Sequence, residues 1–218
     1  MSSLLSCPPS AFAVGSEYQI CALVESECTM WVEVAGRNYY DHSNGILRSG
    51  RFLHIAHVPA AELDAARSYT VHLRRINERR PYRTDYGDIE SSQYGFRPVV
   101  EKGEYHIANV ADAHNVVAAT IKSGGCFGDS LDLLVLNGDI PNHSGDIEYF
   151  KAIYRISGNI ARGEVPCVFS RGNHDMRGTF AEHGSFHAVF DSRGAAALNV
   201  SENRNAGINA GLFFDDVF

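Results

Sequence analysis

The sequence predicts an all-β segment, residues 1–102, followed by an α/β segment, residues 103–218. In the first segment apolar residues alternate with polar ones, as in Met30, Val32 and Val34. Such period-two alternation is typical of strands with one buried face. Beyond the boundary, buried strands alternate with a helical pattern, which indicates α/β construction.

The all-β segment has the features of a small sandwich. A second alternating run covers residues 69–73, and Asn44 and Gly45 form a turn signal between strand candidates. Short strands at close spacing favour a sandwich. Helical periodicity is weak here, apart from a possible turn around residues 60–66. We expect Trp31 in the sandwich core; the alternative is a sugar-stacking platform.

The α/β segment contains three strand candidates, residues 105–110, 131–137 and 165–170. The second is nearly all apolar, as expected for a strand covered on both faces. Between the second and third, apolar residues at helical spacing over 149–160 predict an amphipathic helix. This helix is expected to end at Arg162, which precedes a glycine.

The bulk composition excludes some classes of function. The formal net charge of −7 and the pI of about 5.8 argue against nucleic-acid binding and acidic membranes. No apolar run approaches the length of a membrane span, and no secretory signal is recognisable. The five cysteines are an odd number without metal-type or redox-type spacing, so we expect free thiols and a cytoplasmic protein. Cys167 lies within an apolar strand candidate, residues 165–170, and is expected to be buried.

Polar side chains follow each of the three strand candidates. Asp112 and His114 come after the first, Asp139 after the second and Asn173 after the third. Because open sheets bind ligands at the carboxyl ends of their strands, we expect these groups to meet. Carboxylate, amide and imidazole donors suit divalent metals such as Mn, Fe or Zn. The alternative is that they are ordinary loop and cap residues.

Four further side chains are candidates near this edge. His174 can act on a substrate, and Asp175 can orient its imidazole and favour the protonated form. Asn142 and His143 either line the cleft or only form the entry to the following helix. His174 and Asp175 are therefore the candidate catalytic residues.

Three motifs together resemble the calcineurin-like metallophosphoesterases. They are Asp112-x-His114, Gly138-Asp139 and the stretch Gly172-Asn173-His174-Asp175. The β segment in front resembles the fibronectin- or immunoglobulin-like domain that precedes the catalytic domain in relatives of the purple acid phosphatases. The resemblance therefore implies a catalytic domain of the α-β-β-α type, of which residues 103–218 would be the N-terminal portion.

The resemblance also implies roles for these residues. Two divalent ions (Mn, Fe or Zn) would be bound, the first by Asp112 and His114 and the second by Asn173, with Asp139 as the bridging ligand. A metal-bound hydroxide would attack a phosphate mono- or diester. His174 would stabilise the phosphoryl oxygens or protonate the leaving oxygen.

The chain departs from the family pattern in two respects. Asn142 stands where purple acid phosphatases have a tyrosine and His114 where they usually have glycine, so we expect a colourless phosphoesterase of the general type. The later histidine ligands of the family are also missing, because His183 and His187 do not match them. We therefore expect a C-terminally truncated chain. The alternative function is a degenerate, non-catalytic metal-binding or interaction module. Substrate and oligomeric state stay open.

Overall fold

The computed structural model describes residues 3–50 and 52–175. Seven strands precede the first helix, three more strands come before the second helix, and the last two strands flank the third helix. The strands are β1 (Ser10–Val14), β2 (Glu17–Leu23), β3 (Cys28–Val34), β4 (Arg37–Tyr40), β5 (His42–Ser43), β6 (Ile46–Leu47), β7 (Leu53–Pro59), β8 (Ser68–Arg80), β9 (Arg83–Gly95), β10 (Ile107–Val110), β11 (Leu133–Asn137) and β12 (Pro166–Ser170). The α-helices are α1 (Ala60–Ala66), α2 (Val117–Gly124) and α3 (Ile147–Ala161), and a short 3-10 helix covers Gly128–Ser130.

A mixed six-stranded sheet is the centre of the structure, with the strand order β10-β11-β12-β1-β2-β7. β10, β11, β12 and β1 run parallel to one another. β2 runs antiparallel to both of its neighbours, β1 and β7. β1 joins the parallel part of this sheet to its antiparallel part, since it pairs with β12 on one side and with β2 on the other.

A four-stranded sheet, in the order β4-β3-β8-β9, covers one face of this central sheet. Side chains from both sheets form one buried hydrophobic cluster. Its members include Ala11, Ile20, Met30, Val32, Val58, Val71 and Leu73. Removal of this apolar surface from water is the main force that holds the two sheets together.

Helices α2 and α3 cover the opposite face of the central sheet, where a second hydrophobic cluster lies. Helix α3 begins after Asp146, whose side chain accepts a hydrogen bond from the Glu148 N–H at 2.8 Å, as an N-cap residue should. It ends at Arg162, whose φ of 56° is left-handed. The cluster includes Phe12, Leu134, Leu136, Ile153, Tyr154, Ile156 and Phe169.

Several sequence predictions are confirmed. The three strand candidates of the α/β segment are β10, β11 and β12, and α3 lies between the second and the third. The helical turn expected at residues 60–66 is α1. Asn44 and Gly45 connect β5 to β6 with positive φ angles of 51° and 81°, the turn geometry preferred in tight hairpins. Cys167 is buried, and all five cysteines are free.

The separate N-terminal sandwich is not confirmed. Strands β1, β2 and β7 come from residues 1–102, yet they lie in the same sheet as β10, β11 and β12. The fibronectin- or immunoglobulin-like module and the domain boundary at 102/103 therefore stay predictions. The predictions on His183, His187 and the rest of residues 176–218 lie outside the described residues.

The expectation that Trp31 belongs to the sandwich core is wrong. Along β3, Met30 and Val32 are buried while Trp31 between them is only partly buried, so it lies on the other face of the sheet. There its ring stacks between Tyr40 and His72, with centroid distances of 6.0 and 4.9 Å. Both are its directly opposite neighbours on β4 and β8, so the three rings form a cross-strand row.

Among the described residues, no helix combines the length and the apolar character that crossing a membrane requires.

Candidate metal centre

The carboxyl ends of β10, β11 and β12 meet at one edge of the central sheet, where three loops begin. The three strands are parallel and paired up to their last residues, so they end at the same level. This edge is where open sheets usually bind ligands. The predicted site residues lie in these loops: Asp112 and His114 after β10, Asp139 after β11, and Asn173, His174 and Asp175 after β12.

Backbone hydrogen bonds tie the first loop to the second. The Asp112 N–H donates to the Gly138 carbonyl oxygen at 3.1 Å, and the His114 N–H donates to the Asp139 carbonyl oxygen at 3.1 Å. These bonds continue the strand pairing beyond the ends of β10 and β11. These backbone bonds fix the two loops relative to each other without any contribution from side chains.

The residues that carry the predicted ligands have an unusual backbone. Asp112, His114 and Asp139 have positive φ angles of 52°, 43° and 53°. Non-glycine residues are uncommon in this left-handed region, although Asp, Asn and His tolerate it best. Such conformations cost about 1–3 kcal/mol each and tend to occur at functional sites. Three of the predicted ligand residues, in two adjacent loops, therefore have such a conformation.

Two glycines bring the second and third loops into contact. A Cβ on Gly138 would lie 2.7 Å from the Gly172 nitrogen, and a Cβ on Gly172 would collide with the Asp139 carboxylate. Gly138 also has a φ of 80°, which favours glycine. The glycines in Gly138-Asp139 and Gly172-Asn173-His174 therefore allow the loops to approach each other closely.

His114, Asp139 and His174 form a cluster of potential metal ligands. One ligand atom from each lies within 4.8 Å of the others, and all three residues are partly buried. The two imidazole rings meet edge to face, with centroids 4.5 Å apart. Asp112 lies beside the cluster, with Oδ1 3.7 Å from His114 Nε2, and its side chain is mostly exposed.

Hydrogen bonds hold His174 at both its backbone and its ring. Its N–H donates to Asp139 Oδ1 at 2.7 Å, which places the residue beside the central carboxylate. Its Nδ1 lies 2.6 Å from the carbonyl oxygen of Asn142. Since a carbonyl oxygen only accepts, Nδ1 must carry the hydrogen. In the neutral ring Nε2 then has the free electron pair and can bind a cation or a proton.

Asp175 organises the backbone of the site. Its carboxylate is buried, and Oδ2 accepts hydrogen bonds from the N–H groups of Asp139 at 2.6 Å and Gly172 at 2.7 Å. Burial raises the pKa of this carboxyl, and the charge of Asp139 acts in the same direction, whereas the backbone donors oppose the shift. The expected action of Asp175 on the His174 ring stays a prediction.

Two further buried polar residues, Ser144 and Arg171, interact with Asp175. Ser144 is buried, and its hydroxyl donates to the Asp175 carbonyl oxygen at 2.6 Å. Arg171 is also buried, and burial lowers the pKa of its guanidinium to about 10, although the negative charge of Asp175 opposes this. Sequence patterns did not indicate either residue, since a serine and an arginine next to loops have many ordinary roles.

The fold of the chain is similar to that of a purple acid phosphatase isolated from yellow lupin (Lupinus luteus) seeds. The TM-score is 0.50 at 12% sequence identity, and the alignment covers 81% of this chain and 38% of that chain. The chain spans well under half the length of that phosphatase, and the likeness concerns the fold alone. No family model and no curated protein matches the sequence.

The residues present fit a divalent cation. Two imidazoles and a carboxylate form a donor set that Zn, Fe and Mn accept. The hydrogen bond at Nδ1 of His174 is the kind of outer contact that fixes the tautomer of metal-site histidines. The structure thus brings together His114, Asp139 and His174. Asp112 lies at the rim, and Asn173 is exposed directly before His174.

Proposed function

We propose that this chain acts as a metal-dependent phosphoesterase on phosphate mono- or diesters. The observation that carries the proposal is the cluster of His114, Asp139 and His174 at the carboxyl ends of three parallel strands. The similarity to the fold of a purple acid phosphatase supports it. Divalent ions bound there would supply an acidified water as nucleophile and would neutralise phosphoryl charge.

The chain's own residues would divide the work as follows. His114 and Asp139 would hold the ion, and Asp112 in the first loop and Asn173 in the third loop would supply further oxygen donors. Since His174 Nδ1 donates to the Asn142 carbonyl oxygen, Nε2 is the ring nitrogen that can take up a proton. When protonated, Nε2 can donate to a phosphoryl or leaving-group oxygen. The Asp175 carboxylate keeps the second and third loops together.

The test is metal analysis of the purified chain together with hydrolysis of p-nitrophenyl phosphate in added Mn²⁺. We expect bound divalent ions and a slow, Mn²⁺-dependent hydrolysis. Asp139→Asn should abolish both, because it removes the carboxylate charge. The amide still offers an oxygen to the His174 N–H, and asparagine tolerates a positive φ. Asp85→Asn, an exposed residue of β9, is the matched control and should change neither.

The variant His174→Gln separates the two kinds of role. If His174 acts on the substrate, the variant should keep its metal content and lose hydrolysis. A chain that binds ions and shows no hydrolysis under any of these conditions would favour the non-catalytic metal-binding alternative. A chain that binds no divalent ion would contradict the proposal.

A further inference from the structure

Asn115 directly follows the Asp112-Ala113-His114 segment and contacts two other parts of the site. Its side-chain Oδ1 accepts a hydrogen bond from the Asn142 N–H at 2.6 Å. Its Nδ2 donates to the Tyr149 carbonyl oxygen in the first turn of α3 at 2.8 Å. A single amide side chain thus joins the first loop to the second loop and to the helix that follows it.

The backbone of Asn142 carries this connection onward to His174. Its N–H is held by Asn115, and its carbonyl oxygen accepts the hydrogen on His174 Nδ1 at 2.6 Å. The two groups belong to adjacent peptide planes, so fixing the first restricts the direction of the second. The orientation of the His174 ring therefore depends on a carbonyl group whose position depends on Asn115.

The position of Asn115 is itself well defined. Its backbone N–H donates to the Ile140 carbonyl oxygen at 3.0 Å, and its φ of 63° lies in the left-handed region that asparagine tolerates. An ordinary role would be to cap the following helix α2. That helix has Val116 as its N-cap residue and no capping hydrogen bond from a side chain. The side chain of Asn115 is thus directed to the site and not to α2.

We propose that Asn115 is a positioning residue that holds His174 in the Nδ1–H tautomer through the backbone of Asn142. In the neutral ring of this tautomer, the lone pair is on Nε2. This inference rests on the proposed function only as far as the use of His174 in hydrolysis is concerned. The tautomer itself is a property of the metal-free chain.

The experiment is nitrogen NMR of the full chain labelled at its histidines, at about pH 8, where an ordinary imidazole is neutral. The His174 signal is assigned by its loss in His174→Gln. We expect the Nδ1–H tautomer in the wild type. Asn115→Gly removes the side chain and tolerates the positive φ, and it should shift the tautomer ratio toward Nε2–H by at least about fivefold.

Asn115→Asp is the second variant, because it keeps an acceptor oxygen for the Asn142 N–H and loses the donor to Tyr149. It should retain the wild-type tautomer. Asn159→Ala, which removes an exposed amide on α3, is the control and should also leave the tautomer unchanged. In an active chain, Asn115→Gly should lower kcat roughly 10–100-fold with little change in KM.

Two results would overturn the inference. One is a wild-type tautomer in folded Asn115→Gly, and the other is an Asn115→Asp variant that behaves like Asn115→Gly. Neither depends on hydrolysis. If the chain shows no hydrolysis and binds no ion, the proposed function fails, while the tautomer measurement still decides the role of Asn115.

Discussion

At the scale of single residues, Gly138 and Gly172 determine how closely the loops of the site approach each other. Gly138 combines a φ of 80° with a neighbouring backbone nitrogen 2.7 Å from where its Cβ would be. A side chain there would therefore suffer from both backbone strain and a collision with backbone that cannot rotate away. The two effects can be separated with a second glycine of the same conformation.

Gly138→Ala should lower the free energy of unfolding by about 2–4 kcal/mol, of which about 1 kcal/mol comes from φ and the rest from the collision. Gly36 is the matched control, because its φ is 79° and nothing lies within 4 Å of its Cβ position. Gly36→Ala should therefore cost only about 1 kcal/mol. Urea unfolding measures both, and equal losses would show that the contact with Gly172 is unimportant.

The composition of the candidate site could be predicted only in part. Asp112, His114 and Asp139 each follow an apolar run, and the ends of parallel strands are known to meet, so their proximity follows from local patterns. The contact between Asn115 and Asn142 joins residues 27 positions apart through two irregular loops. No periodicity describes such loops, and hence the sequence alone did not indicate Asn115.

At the scale of elements, strands and helices with strong periodicity could be predicted, whereas their exposure was less predictable. Trp31 shows the reason. Its large apolar ring favoured the core, although the alternation along β3 places it opposite Met30 and Val32. On that face the ring is partly buried and stacks against Tyr40 and His72 of the neighbouring strands. The contribution of neighbouring strands is not visible in the pattern of one strand.

Helix α3 contains a glycine for a reason that is likewise tertiary. Gly158 weakens a helix by itself, and its replacement by alanine normally stabilises by about 1 kcal/mol. Here a Cβ would overlap the Pro8 carbonyl oxygen and would lie 3.2 Å from Cys7 Sγ. The helix and the segment before β1 are therefore in close contact. The helix also contacts β1 itself, through the buried hydroxyl groups of Ser157 and Ser10, which lie 2.6 Å apart.

We therefore expect Gly158→Ala to destabilise the protein by roughly 1–3 kcal/mol in spite of its helix propensity. Asn159→Ala, at the next and exposed position of α3, should be neutral or slightly stabilising, since only propensity and one local hydrogen bond change. Thermal melting of both variants measures the difference. A stabilising Gly158→Ala would show that α3 can move away from Pro8.

At the scale of the whole molecule, β1 decides whether the chain unfolds as one unit or as two. β1 lies between β12 and β2, and its two faces contribute to different hydrophobic clusters. Phe12 belongs to the cluster under α2 and α3, whereas Ala11 belongs to the cluster between the sheets. The sequence could not predict this, because period-two alternation identifies a strand without identifying its partners.

A single cooperative unfolding transition is therefore expected. The only tryptophan, Trp31, reports on the four-stranded sheet, and circular dichroism of the helices reports on the opposite layer. Their urea midpoints should coincide in the wild type, as for a two-state protein. Phe12→Ala removes a fully buried ring that contacts Tyr154 at a centroid distance of 6.3 Å, and it should cost about 3–5 kcal/mol.

Because β1 belongs to the same sheet as β12 and β2, Phe12→Ala should move both midpoints by the same amount. Tyr82→Ala is the control for loss of an aromatic ring, since Tyr82 is fully exposed between β8 and β9, and it should move neither midpoint. Two separate transitions, of which Phe12→Ala lowers only the helical one, would contradict the single unit. That result would instead support two domains divided at residues 102/103, with the β1–β12 pairing as a weak contact between them.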